Sequence, residues 1–323
     1  MNLSDLARPD PNFTILVPGG CNAKCQFCFW NADFGRIRPP ANYLEELRRV
    51  LLVLPESFRT ISVSGGEPSV SKMLIPILQA IDSTRRSRHY DRVVLTTNGS
   101  NMEVLKKIAA EALIDHLNIS RHHYNDAKNE EIFKTKAIPS SAELQELIQC
   151  IHRTSAVDVC MNAVVTTVLP AEDTDELCAR DLIDYAKGTG FDAVSLRKVA
   201  TDVTPTPAEV AFRKRYGVKH ETKCPVCRGM VQDVDGFEVR WKGSVTEPSI
   251  VSGKTYEAVF HPDGKLYADW GMKVPLKHSG DTLGRPAKAL PKVEEKVKVV
   301  YVDRPVSSEG RSGCGSGGCG SRC

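Results

Sequence analysis

The sequence predicts an α/β fold built on a parallel sheet, followed by a smaller β-rich unit and a glycine-rich tail. Three observations carry this. Short apolar runs alternate with segments of helical period over the first 200 residues. The rhythm then breaks into short strand-like segments with an Asp263-Gly264 turn signal. Finally, 323 residues, 41% of them hydrophobic, suffice for one large domain and a small one.

The elements follow in order. FTILV (13–17) reads as a first strand running into the loop PGGCNAKCQFCFWN. Residues 41–54 carry apolar side chains at helical spacing, 60–65 (TISVSG) form a strand, 72–81 a helix and 91–97 a strand. Helix 102–113, strand 115–120, helix 141–153, strand 157–167, helix 175–188 and strand 192–199 complete six strands with helices between them. Such alternation implies right-handed crossovers and a parallel sheet with its helices outside, and chemistry collects at the C-terminal ends of such strands. Beyond 200, TPTPAEVAFRKRYG gives a short helix, and GFEVRW, YEAVFHPDGKLYADW and VKVVYV suggest short antiparallel strands. The stretch SSEGRSGCGSGGCGSRC is too rich in Gly and Ser to pack a core.

Composition excludes collagen-like, mucin-like and wholly disordered classes. Forty-three Lys and Arg against forty Asp and Glu leave a net charge of +3, which does not support a nucleic-acid partner. No apolar run approaches the roughly 20 residues of a membrane span, and the first residues have neither a basic nor an apolar leader region, so a cytosolic location without a membrane partner is expected. The eleven cysteines are odd in number and clustered, which argues for metal rather than disulfides. Cys150, Cys160 and Cys178 sit in apolar or helical contexts and read as core or surface thiols.

Cys21, Cys25 and Cys28 place three thiols within eight residues, directly after the first strand. Thiolates so spaced wrap one soft metal centre from a single loop. A structural zinc site wants four protein ligands, whereas a four-iron cluster on three cysteines keeps one iron open. At the end of the second strand stands Ser64-Gly65-Gly66-Glu67-Pro68, whose glycines let the backbone approach a ligand closely. Zinc or surface thiols, and a simple tight turn, are the bland alternatives.

Together, the C-x3-C-x2-C loop and the GGEP element resemble the radical S-adenosylmethionine (SAM) superfamily, in pattern closest to its molybdenum-cofactor-synthase and auxiliary-cluster branch. The resemblance implies a partial (β/α)6 barrel over residues 10–200, with Cys21, Cys25 and Cys28 ligating a [4Fe-4S] cluster whose fourth iron binds SAM. It implies that Gly65, Gly66 and Glu67 meet the methionyl part of SAM and that Phe27 lies beside the adenine. Asn98, Ser120, Asn162 and Arg197, at successive strand ends, match positions that commonly contact the ribose or carboxylate. The activity implied is reductive cleavage of SAM to a 5′-deoxyadenosyl radical that abstracts hydrogen from a small molecule, a nucleobase or nucleotide, or a peptide, with a reducing partner such as flavodoxin or ferredoxin. A non-catalytic iron–sulfur or zinc-binding protein is the alternative.

Arg121, His122 and His123 follow the fourth strand, and their side chains suit a carboxylate or phosphate of a substrate; a solvated loop is the alternative. Residues 201–305 are expected to form a small α+β accessory domain and 306–323 a flexible tail. Cys224 and Cys227 supply half a metal site. The segment FHPDGKLYADW resembles the hairpin of auxiliary-cluster domains, but Ala268 and Asp269 stand where its cysteine is expected. A possible second iron–sulfur cluster would draw its missing ligands from Cys314, Cys319 and Cys323; a disordered arm and a redox thiol tail are the competing readings.

Overall fold

The six predicted strands lie side by side in the order of the chain. In this computed structural model, β1 (Asn12–Val17), β2 (Thr60–Gly65), β3 (Arg92–Thr97), β4 (His116–Ser120), β5 (Asp158–Val164) and β6 (Ala193–Arg197) pair in parallel. The structure describes residues 11–28, 35–85, 87–164, 176–198, 206–221, 229–242, 250–251, 254–255 and 257–277. Sequential order with crossovers of one hand puts the core-packing crossover helices on the same face of the sheet. The helices are α1 (Tyr43–Val53), α2 (Leu74–Thr84), α3 (Met102–Ala110), α4 (Asp126–Phe133), which contributes nothing to the main core, α5 (Ser141–Thr154), α6 (Glu176–Thr189) and, after the sixth strand, α7 (Pro207–Tyr216). The fold is α/β with an open, parallel-rich sheet, as a partial barrel requires.

Strand periodicity divides the sheet's two faces by chemistry. Phe13, Ile15, Val17, Ile61, Val63, Val93, Leu95, Leu117, Ile119, Val159, Met161, Val194 and Leu196 belong to one buried core, together with helix residues such as Leu47, Ile77, Leu105, Leu147 and Leu182. Their alternating neighbours carry Asn12, Thr14, Ser62, Ser64, Thr96, His116, Asn118, Ser120, Asp158, Asn162, Ser195 and Arg197. Central parallel strands packed on both faces are ordinarily apolar throughout. Here only the helix-facing side is, so the inner face is a polar surface.

The region after 200 departs from expectation. It adds to both edges of the same sheet instead of forming a unit of its own. β9 (Phe237–Lys242) runs parallel to β6, β8 (Met230–Val234) is antiparallel to β9, and β7 (His220–Glu221) to β8. On the opposite edge, β12 (Glu257–Phe260) pairs parallel to β1, and β13 (Leu266–Tyr267) returns antiparallel. The full order is β13-β12-β1-β2-β3-β4-β5-β6-β9-β8-β7, and all described residues fall within a compact unit that reaches Asp281. The physical reason is the pair of open edges that a six-stranded sheet leaves, whose unpaired N–H and C=O groups β12 and β9 satisfy. A separate two-stranded sheet joins β10 (Ile250–Val251) and β11 (Lys254–Thr255). The Asp263-Gly264 turn holds as predicted, with Gly264 at φ +78° between β12 and β13. The expected strand VKVVYV, Cys224, Cys227 and the tail with Cys314, Cys319 and Cys323 lie outside the described residues.

Helix α4 was not foreseen, because DAKNEEIF offers little apolar periodicity. It forms on its caps: Asn125 accepts from the Lys128 N–H, and Lys134 closes it in the left-handed conformation. Helix α5 starts on a full capping box between Ser140 and Glu143.

Candidate active site at the C-terminal ends of the strands

The loop after β1 carries Cys21, Cys25 and Cys28, with Cys21 and Cys28 exposed and Cys25 half-buried. The three thiols act on one another: burial first, then the neighbouring Cys28 and Cys21, push Cys25 up to about 12. Burial raises Cys21 as well, with Glu67 and Cys28 adding to it. Clustered thiols that resist ionisation alone are suited to a cation that removes their protons. Among the described residues, no three His, Cys, Asp or Glu side chains are grouped to hold a single metal ion.

Bonds from three directions hold this loop. The Lys24 N–H donates to the Phe133 carbonyl at the end of α4 (2.8 Å), and Asn22 Nδ2 donates to Ser100 Oγ (2.8 Å). Asn98 Nδ2 donates to Asn22 Oδ1 (2.9 Å), and the Glu67 N–H to the Gly20 carbonyl (3.2 Å). Asn98, expected to touch cofactor, thus spends its amide on the cysteine loop and on Ser100, whose N–H donates to Asn98 Oδ1 at 2.9 Å.

Glu67 also differs from expectation. Its side chain is buried and accepts from the Ser69 N–H (2.8 Å), the Asn98 N–H (2.6 Å) and the Thr97 hydroxyl. Burial pushes its carboxyl up, and these hydrogen bonds oppose the shift. The carboxylate therefore clamps the end of β2 to the end of β3 and caps the 3-10 turn Pro68–Val70, leaving ligand contacts to the backbone beside it. Gly65, at φ +145°, lies where a Cβ would meet the Val17 carbonyl oxygen at 3.0 Å and the Val17 nitrogen at 3.1 Å. Only glycine fits there.

Phe27, half-buried, sets its ring edge-on to His122 at 4.9 Å, and His122 stacks on Phe133 at 4.7 Å. The segment Arg121-His122-His123 is buried and bonded within the protein and is not a solvated loop. Arg121 is 1% exposed and donates to the carbonyls of His123 (2.9 Å) and Pro139 (3.2 Å), to Ser141 Oγ (3.2 Å) and to Asp126. His122 Nδ1 accepts from the Val164 N–H (3.1 Å), and burial brings the ring down to about 3, so it is neutral with its proton on Nε2. His123 Nδ1 accepts from the Asn125 N–H (2.9 Å), and Asn129 Oδ1 accepts from the N–H groups of both His122 (2.9 Å) and His123 (3.3 Å). The three residues fold the loop onto itself and onto α5.

The inner face supplies the rest. Ser120 stands in register with Asn162, and Asn162 with Ser195. Asn162 and Ser195 are both buried, and Asn162 Oδ1 and Ser195 Oγ have no hydrogen-bond partner among the described residues. Arg197 is one rung further along β6 and only partly covered. Sequence reasoning did not find Ser195 or the supports Asn22, Thr97 and Asn129. The signal for Ser195 was its alternation with Val194 and Leu196 on a strand already identified.

With a cysteine loop after the first strand, a glycine turn after the second and a polar inner face, the fold can be set beside known proteins. The profile of the Radical SAM superfamily matches residues 15–180. The chain belongs to that superfamily. It is an enzyme of a family that uses a [4Fe-4S] cluster and SAM. A probable GTP 3′,8-cyclase of Thermococcus kodakarensis is 27% identical over 214 residues, covering 65% of this chain and 62% of that protein. A GTP 3′,8-cyclase of Brucella abortus is 28% identical over 183 residues, covering 55% of this chain and 49% of the relative. The chain thus spans about half to three-fifths of the length of these curated relatives. Streptococcus suis SuiB shares the fold at a TM-score of 0.52, with 14% identity over 84% of this chain and 64% of that one. Among the described residues no helix is long and apolar enough to cross a membrane.

Proposed function

We propose that Cys21, Cys25 and Cys28 hold the [4Fe-4S] cluster, and that SAM lies between it and the inner face, against Gly65 and Gly66. When bound, the cluster supplies one electron for reductive cleavage of SAM to methionine and a 5′-deoxyadenosyl radical, which takes a hydrogen atom from substrate. The observation that carries this reading is the shared anchoring of the cysteine loop and the GGEP turn, through the Glu67 N–H to Gly20 and the Asn98 amide to Asn22. The protein's own work is positional. Glu67 and Thr97 fix the strand ends, Gly65 lets β2 close against β1, and Phe27 packed on His122 shields one side of the loop. Ser120 and Asn162 offer polar groups to the nucleoside part of SAM from β4 and β5.

The substrate is a small molecule or nucleotide held on the inner face; the similarity to GTP 3′,8-cyclases supports a nucleotide. A cavity of about 660 Å³ beside the cysteine loop, lined by Pro18, Gly19, Gly20, Ser71 and the exposed Arg36, Arg38 and Lys72, suits an acidic electron donor such as flavodoxin or ferredoxin. The non-catalytic alternative gives a simple contrast: anaerobically purified protein is brown if it carries iron–sulfur and colourless if it carries zinc. The test of the cofactor site is Gly66→Val in the reconstituted protein. The variant keeps the brown colour and binds SAM at least tenfold more weakly by equilibrium dialysis; unchanged affinity removes the GGEP turn from the site.

A further inference from the structure

The inner face does not end at β6. Ser195 is in register with Arg240 of β9, and Arg197 with Lys242, so two rungs on adjacent strands bring three cationic side chains to one side of the sheet. Neighbouring strands stand about 4.8 Å apart, and residues two apart on one strand share a face. Cys160, one rung below Asn162 on β5, shows where these groups point. Burial raises its thiol, while Arg240, Lys242 and Arg197 each act to lower it and Glu238 acts to raise it. All three cations therefore lie close to a wholly buried inner-face thiol.

Their setting is that of a site rather than of a solvated surface. Glu238 accepts from Arg240 Nε at 2.5 Å, which aims the guanidinium while its two terminal nitrogens bond to no described residue. Beside it is Ser195, 1% exposed, whose hydroxyl has no partner among the described residues. A buried hydroxyl left without a partner is unfavourable. An anion with several oxygens relieves it, accepting from hydroxyl, guanidinium and ammonium together.

We propose that Arg240, Lys242 and Arg197, with Ser195, form an oxyanion-binding subsite that anchors a phosphate or carboxylate group of the substrate. The inference rests on the reading that the reaction takes place on the inner face, and it deepens that reading. Three of these four residues, Ser195, Arg240 and Lys242, were not found from sequence. All four lie beyond residue 180, outside the segment that matches the superfamily profile. Four strand spacings to β6 and five to β9, along the order β2-β3-β4-β5-β6-β9, separate the subsite from the GGEP turn, so substrate and cofactor are gripped by different strands.

Equilibrium dialysis of the reconstituted protein against labelled inorganic phosphate and labelled succinate tests this without SAM or reductant. At least one probe binds the wild type at one site per chain. Arg240→Gln and Lys242→Gln each weaken it tenfold or more, Arg240→Lys weakens it only a few-fold, and Lys136→Gln, on an exposed loop, leaves it unchanged. Circular dichroism spectra of the Gln variants match the wild type, which separates loss of a donor from loss of the fold. Affinity for S-adenosylhomocysteine is the same in all. Phosphate binding alone identifies a phosphorylated substrate, and succinate binding alone a carboxylate. Failure of both probes on the wild type, equal affinity in the Gln variants, or a parallel loss of S-adenosylhomocysteine binding overturns the proposal, the last assigning the cations to SAM. Loss of SAM cleavage with intact anion binding would instead count against the cofactor reading alone.

Discussion

The two halves of the inner face are built on opposite principles. At the ends of β1, β2 and β3, nearly every polar group is bonded to another part of the protein: Glu67 to Ser69, Thr97 and Asn98, Asn98 to Asn22, and Asn22 to Ser100. Across β5, β6 and β9, Asn162 Oδ1 and Ser195 Oγ have no partner among the described residues, and three cations share two rungs. The first half is rigid before anything binds, as positioning a reactive cofactor requires. The second leaves buried polar atoms open, the arrangement expected of a surface that meets a ligand. The closed edge at β12 sharpens the contrast. There Glu257 accepts from Thr14 (2.5 Å), Asn12 (3.1 Å) and Trp270 (3.0 Å), and Leu16, Val259 and Trp270 fill the space with apolar contact.

The largest effect expected from breaking this contrast is at Glu67. Glu67→Ala strips three donors of their acceptor in a buried setting and costs about 3–5 kcal/mol in urea unfolding, with loosening of the cysteine loop. A loss below about 1 kcal/mol would mean that the clamp does not hold the site. Next comes a pH effect away from the cofactor. Burial lowers His116 to about 4, with Arg92 and Arg240 adding to the shift, and it lowers His122 to about 3. Both folded values lie below the ordinary 6.5, so the unfolded chain binds more protons in this range. The stability these groups contribute is therefore complete above pH 6.5 and is lost as pH falls toward 4 and 3. His116→Gln should reduce the slope of unfolding free energy between pH 6 and 4.5 by one proton, about 1.4 kcal/mol per pH unit, and an unchanged slope contradicts a neutral His116. The smallest effects come as a pair. Thr97→Val, which removes a bonded hydroxyl, costs about 2 kcal/mol, whereas Ser195→Ala stabilises the fold by about 1 kcal/mol because it removes a buried hydroxyl that has no partner. Equal costs at the two positions would erase the distinction between the halves.

Much of the fold was legible because its signal is local. Phe13, Ile15 and Val17, like Val93 and Leu95, alternate with polar residues at the strand period, and helices at 43–53 and 141–154 present apolar residues at the helical one. What local pattern does not encode is which strand pairs with which. GFEVRW was recognised as a strand, but its parallel pairing to β6, across the intervening α7, β7 and β8, depends on contacts distant in sequence. The placement of Arg240 and Lys242 beside Ser195 and Arg197 was invisible for that reason. The cysteine triad was legible because three thiols on one short loop need no long-range information. What the side-chain types of Arg121, His122 and His123 did not reveal is their structural bonding: the Arg121 guanidinium to Asp126 and the Pro139 carbonyl, and the backbone N–H groups of both histidines to Asn129.

The central claim is that the loop of Cys21, Cys25 and Cys28 commits this chain to reductive cleavage of SAM. Its most direct test is 5′-deoxyadenosine formation after anaerobic reconstitution, reduction with dithionite and incubation with SAM, comparing wild type with the triple variant Cys21→Ala, Cys25→Ala, Cys28→Ala. The account predicts steady product from the wild type and none above background from the variant, with the circular dichroism of the folded chain retained. Product from the variant at the wild-type rate, or a fully iron-loaded wild type that forms none, would contradict it.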